Sequence, residues 1–341
     1  MRYADGTTTG ASDVAPIWNP EFFGEAMLVN GRTWPMLAVE PRRYRFRILN
    51  GCNSRFLILR LASGDPTVRP VPSALPFWQI GAEGGFLPAP VSLDTLLMAP
   101  AERADVIVDF TGLAEGAQLY LINEAPDEPF GGGTPGVDFD FADPEITGQV
   151  LKFVVGKLAA VDTSLAPDQL VLPAYVPLGA AAATRQVSLN EEESGTVRVR
   201  EAANGSIVLD PAGEPFGPTE AVLGTVNADG TGKPTSWDDA ITEAPLQDSI
   251  EVWEIHNFTV DAHPIHIHEV MFEVVNRQPF DGAPRPPEPW EVAAKDTVIA
   301  YPGEITRVKA KFDLPGRYAW HCHIVEHEDN EMMRPIDVVP S

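Results

Sequence analysis

Short runs in which apolar and polar residues alternate recur along this chain. In its first half they fall at 26–29, 44–49, 56–61, 95–98, 106–110, 118–122 and 149–155. Alternation with period two marks strands with one buried face. Arg43-Tyr44-Arg45-Phe46-Arg47-Ile48-Leu49 shows it most clearly, with one basic face and one apolar face. Turn dipeptides such as Asn30-Gly31, Asn50-Gly51 and Gly84-Gly85 separate the runs. Residues 156–184 are rich in Pro and Ala, lack a period, and read as an interdomain crossover. The pattern resumes at 186–189, 196–200, 250–257, 263–268, 272–276, 297–301, 307–312, 318–321 and 335–339. Residues 201–247 show little pattern and read as loop; the polar residues 1–24 read as linker. The prediction is an all-β chain of two Greek-key β-sandwich or barrel domains, at 25–155 and 185–341.

Composition narrows the functional classes. The 341 residues suit two domains, and 33 Pro with 28 Gly suit short strands and turns. No window offers about 20 uninterrupted apolar residues, so no membrane span is predicted. Acids outnumber bases 49 to 24, a formal charge of −25. A nucleic-acid binder carries the opposite balance; this one reads first as solubility, with a preference for cationic or neutral substrates as the sharper alternative. Two cysteines, Cys52 and Cys322, make no disulfide framework. The N-terminus has no apolar segment and is not a secretory signal; it reads as a linker that has lost what preceded it. Cellular location is left open.

All seven histidines lie after residue 255, and six fall in two groups: His263, His266 and His268; His321 and His323 around Cys322, with His327 beyond. In a strand, residues i and i+2 share a face while i+1 points away. His321 and His323 can therefore serve one metal site while Cys322 serves another. His266 and His268 share a face, and His263, three residues back beyond a Pro, can turn to the Cys322 side. Cys322, His263 and His327 form a His2Cys trigonal set, to which a weak axial Met completes a blue-copper site. Met332 and Met333 are both offered. Zinc rivals copper for a Cys/His set, but does not explain the alternation around Cys322.

The stretch His321-Cys322-His323-Ile324-Val325-Glu326-His327-Glu328-Asp329-Asn330-Glu331-Met332-Met333-Arg334-Pro335 resembles the closing motif of multicopper oxidases, in the bacterial spore-coat laccase and bilirubin-oxidase branch. His263-Pro264-Ile265-His266-Ile267-His268 resembles that family's HPxHxH motif. Gly24-Glu25, Leu28 to Gly31, Trp34-Pro35, Tyr44 to Arg47 and Pro100-Ala101-Glu102-Arg103-Ala104-Asp105 resemble its middle domain. The resemblance implies two cupredoxin-like domains. It implies type 1 copper on His263, Cys322 and His327 with Met332 axial, type 2 copper on His266, and a type 3 pair on His268, His321 and His323. It also gives Glu328 a place in proton delivery to reduced oxygen, beside the catalytic Cys322, His321 and His323.

A family cluster takes eight histidines, half of them from an N-terminal domain with two His-x-His pairs; here nothing before residue 256 is histidine. The resemblance thus implies one type 1 copper for this chain alone, and up to four with an N-terminal cupredoxin domain or partner chain that brings such pairs. The activity implied is oxidation of phenolic or aromatic substrates with reduction of O2 to water. The alternative is a type 1 electron-transfer protein that does not reduce O2. The family's locations are cytoplasmic, spore-coat or extracellular. His256 and five tryptophans (Trp34, Trp78, Trp253, Trp290 and Trp320) read as structural, and Cys52 as a free, partly buried thiol.

Overall fold

The computed structural model describes residues 12–14, 18–202 and 206–341; the rest of the predicted linker and three residues of the predicted loop fall outside them. The regular structure of the described residues is almost all strand, arranged as two β domains.

In the first domain one sheet runs Met36–Val39, Gln149–Val155, Gln118–Asn123, Leu57–Ser63, Leu96–Met98, and the other Arg43–Leu49, Arg103–Asp109, Phe77–Ala82, Gly85–Leu93. Met36–Val39 joins Gln149–Val155 in parallel, so the first strand of its sheet closes against the last. The alternation in Arg43–Leu49 is used as predicted. Tyr44 and Phe46 turn inward to Phe110 and Phe153, while Arg45 pairs with Asp105 on the outer face.

The second domain repeats the plan. A six-stranded sheet runs Gly232–Pro234, Glu220–Val226, Ala183–Glu192, Ser249–Asn257, Glu304–Phe312, Phe272–Pro279. It packs on a four-stranded sheet of Thr297–Ala300, His263–Ile267, Gly316–Cys322 and Met333–Val338. Between them lies a core that includes Val187, Leu223, Trp253, Phe272, Phe312 and Trp320, with the two indoles edge to face at 5.6 Å. Removing such apolar area from water, at ~25 cal/mol per Å², is the main force that holds the sheets together.

Several strands lie where the pattern is silent. Gly85–Leu93 contains Pro88 and Pro90, which an edge strand tolerates but which erase alternation. Glu220–Val226 lies in the predicted loop, because Ala221 to Gly224 are buried without a break. Residues 18–24 are less free than a linker. Trp18 donates its indole N–H to the Glu326 carbonyl at 2.9 Å, and Phe22 N–H donates to Ser54. Trp34 is exposed, whereas Trp253 and Trp320 are wholly buried.

Candidate metal centre

The register of the four-stranded sheet builds the site. His263–Ile267 pairs with Gly316–Cys322 so that Ile265 opposes Cys322 and His266 opposes His321. Opposed residues share a face, so period two puts His263, Ile265 and Cys322 on the core side and His266, His321 and His323 on the other. Cys322, between its two histidines, is the point where the faces change.

On the core side, Cys322 Sγ lies 3.7 Å from His263 Nδ1 and 3.8 Å from His327 Nδ1, and the two nitrogens are 3.2 Å apart. His327 arrives on the one-turn helix Val325–Glu328 just past the strand. Met332 is wholly buried and backbone-bonded on both sides: its carbonyl accepts the Cys322 N–H and its N–H reaches the His327 carbonyl, each at 3.0 Å. Met333 opposes His321 across the sheet and so belongs to the other face.

These donors do not satisfy one another. Two ring nitrogens 3.2 Å apart share at most one proton, in a site where Cys322 and His263 have no solvent exposure. Unpaired buried polar atoms are costly, and a soft cation among them would use every lone pair. The donor set therefore fits copper.

A surrounding layer fixes the rings. His263 Nε2 lies 2.7 Å from the Thr259 hydroxyl and 3.3 Å from Asp261, which leaves Nδ1 to face Cys322. Against burial, the Asp261 carboxylate raises His263 well above its usual range, and His263 in turn holds Asp261 well below its own. Burial, reinforced by His263, pushes His327 down to about 3. Burial also pushes the Cys322 thiol up. Glu21, pushed up to about 9 by burial and by Asp261, and Glu191, pushed up to about 7 in the same way, complete an acidic rim.

On the opposite face His266, His321 and His323 bring ring nitrogens within 4.8 Å of one another. His268 joins through its Nε2, 3.1 Å from His321 Nε2. His266 Nδ1 donates to the Asp296 carbonyl at 2.6 Å and His321 Nδ1 to the Cys322 carbonyl at 2.9 Å, so both present a bare Nε2. Burial holds all four below the usual imidazole range, His323 at about 4, and so neutral at pH 7. Glu328 Oε2 lies 3.3 Å from His321 Nδ1 and 3.8 Å from His323 Nδ1, and burial raises its pKa.

A family model for multicopper oxidases matches residues 215–341. Over 334 residues the chain is 38% identical to a laccase of Bacillus subtilis (strain 168), covering 94% of this chain and 55% of that protein. It is 36% identical to a laccase of Haloferax volcanii, covering 93% and 48% respectively. Among solved structures, the McoA multicopper oxidase of Aquifex aeolicus superposes with TM-score 0.66 at 26% identity, over 94% of this chain and 62% of that one.

The chain belongs to the multicopper oxidase family.

It spans about half the length of the curated laccases it matches. Copper is the metal the family implies, as the donor chemistry does. His256, outside both groups, stacks between Phe258 and Phe280, and Cys52 is a half-buried free thiol. Sequence reading missed Thr259, Asp261, Glu21, Glu191 and Asp296. None carried a signal: Thr259 and Asp261 lie in the turn before the strand that opens at His263, where period two does not apply.

Proposed function

We propose that this chain is the electron-accepting part of a laccase-like oxidoreductase that oxidises phenolic or aromatic donors with reduction of O2 to water. In this reading His263, Cys322, His327 and Met332 would hold a type 1 copper. His266 is a ligand of type 2 copper, and His268, His321 and His323 of a type 3 pair. The remaining histidines come from an N-terminal cupredoxin domain or chain with His-x-His pairs. The reading also takes 25–155 and 185–341 as the middle and C-terminal domains.

One observation carries the proposal. Cys322 Sγ lies within 3.8 Å of two imidazoles on one face, while its chain neighbours place two more on the other. Copper, when bound, supplies the one-electron redox chemistry. The residues do the rest. Cys322 and its neighbours form an unbroken covalent path between the two faces. Thr259 and Asp261 orient His263, and the apolar core keeps water from Cys322. Glu328, its pKa raised by burial, stands at the edge of the histidine face, placed for proton delivery there.

Copper content and the visible spectrum test this reading. About one copper per chain, with a thiolate-to-copper band near ~600 nm, is expected for the chain alone. About four are expected once a chain with His-x-His pairs is added. Cys322→Ser should abolish the band and His321→Ala should leave it; a band that survives Cys322→Ser defeats the ligand assignment.

A further inference from the structure

The seam between the domains runs up to His266. Residues 294–296 of the second domain are all held from the first. The Ala294 carbonyl accepts the Gly84 N–H at 2.9 Å, so closely that a Cβ on Gly84 would stand 2.6 Å from Ala294. Lys295 is buried, its ammonium 2.8 Å from Glu83 and 3.2 Å from Glu102. Asp296 accepts from Arg103 Nη2 at 2.5 Å. Glu83 also accepts the Arg103 backbone N–H at 2.9 Å, which ties the gripping residues together. Consecutive charges of opposite sign thus meet partners of opposite sign.

The next link is His266. Its Nδ1–H donates to the carbonyl of Asp296, while Asp296 Oδ1 takes the Thr297 hydroxyl at 2.9 Å. We propose that Arg103 is a positioning residue: by pinning Asp296 from across the seam, it fixes the tautomer and orientation of His266. The first domain then decides which nitrogen a second-domain histidine offers to the metal face. Without Arg103, the largely buried Asp296 carboxylate has lost its cation. Unpinned, Asp296 can move its carbonyl off His266 Nδ1, and the ring proton is then no longer confined to that nitrogen. The ring then tilts, and Nε2 leaves its place opposite His321.

The consequence for function rests on the proposal above; the positioning itself does not, and it can be read without metal. The test uses the copper-free 341-residue chain with 15N-labelled histidine, in which each ring nitrogen reports whether it carries a proton. His266, assigned by loss of its signals in His266→Gln, should show Nδ1 protonated and Nε2 bare. In Arg103→Gln its two signals should move toward each other as both tautomers become populated, while His263 and His327 keep theirs. Arg103→Lys, which keeps the charge but loses the planar fork, should fall between, and supplies the comparison if Arg103→Gln does not fold. Unchanged His266 signals would overturn the proposal. Equal disturbance of His263 and His327 would also do so, by making Arg103 a general structural contact. Absence of copper at a correctly oriented His266 would defeat the proposed function and leave the positioning intact.

Discussion

Asp261 acts on the candidate copper site through His263. Its carboxylate and the Thr259 hydroxyl both face His263 Nε2, which aims Nδ1 at Cys322. Partners of this kind are worth 10–100-fold in metal affinity. Asp261→Asn should therefore weaken copper retention by about that factor, measured by chelator competition with the blue band as readout. Unchanged affinity would mean that Thr259 alone sets the ring. The same residues give a pH dependence. Glu21, pushed up to about 9, and His263, raised well above the usual range, both hold protons in the folded chain that an unfolded chain releases near pH 4.5 and 6.5. Between pH 7 and 9 the folded state binds more protons, so stability of the copper-free protein should fall as pH rises. The histidines with lowered pKa are neutral in both states there and add nothing. Urea midpoints at pH 7 and 9 check the sign, and Glu21→Gln should shrink the drop; a midpoint that rises toward pH 9 contradicts the assignment.

At the scale of elements, the strand Thr297–Ala300 is the support on which His263–Ile267 lies, and it is tied to Phe272–Pro279 by one buried side chain. Arg277 is 1% exposed, forks to both oxygens of Glu291 at 2.6 Å, and donates to the Ile299 carbonyl. Removing one member of such a pair strands a buried charge at a cost of about 3–5 kcal/mol. Arg277→Ala should lose about that much in chemical denaturation. Arg277→Met with Glu291→Leu should recover most of it; equal loss in both would show that the bonds to Ile299, not the charge pair, hold the strands. None of this tie was legible in the sequence. What was legible is what depends on local period: Arg43–Leu49, Ser249–Asn257 and the strands that carry the histidines. Alternation around Cys322 also disclosed two faces before any coordinates, because side-chain direction in a strand follows from position alone. Strands broken by proline, such as Gly85–Leu93, or buried on both sides, such as Glu220–Val226, lack that period. Contacts such as Arg103 with Asp296 join residues 193 positions apart, and no local pattern encodes them.

At the scale of the whole molecule, 49 acids against 24 bases set a negative field that an approaching electron donor meets before any side chain touches it. The rim beside His263 adds less than its three carboxyls suggest, because Glu21 holds its proton at neutral pH and Glu191, near 7, is only half ionised. The field is therefore mostly long-range, and salt should screen it: the Debye length shrinks from about 30 Å at 0.01 M to about 8 Å at 0.15 M. Reduction of the blue band by a cationic aromatic amine should slow as salt rises over that range. With an anionic aromatic donor it should speed up, and with a neutral phenol it should hardly change. Stopped-flow traces of the copper-loaded protein with the three donors separate the cases. Opposite slopes for the two charged donors would make the acidity a selector of substrates. A common slope would leave it to solubility and pass the choice of donor to the contacts around His263 and His327, where Val260 stands 84% exposed beside the buried Asp261.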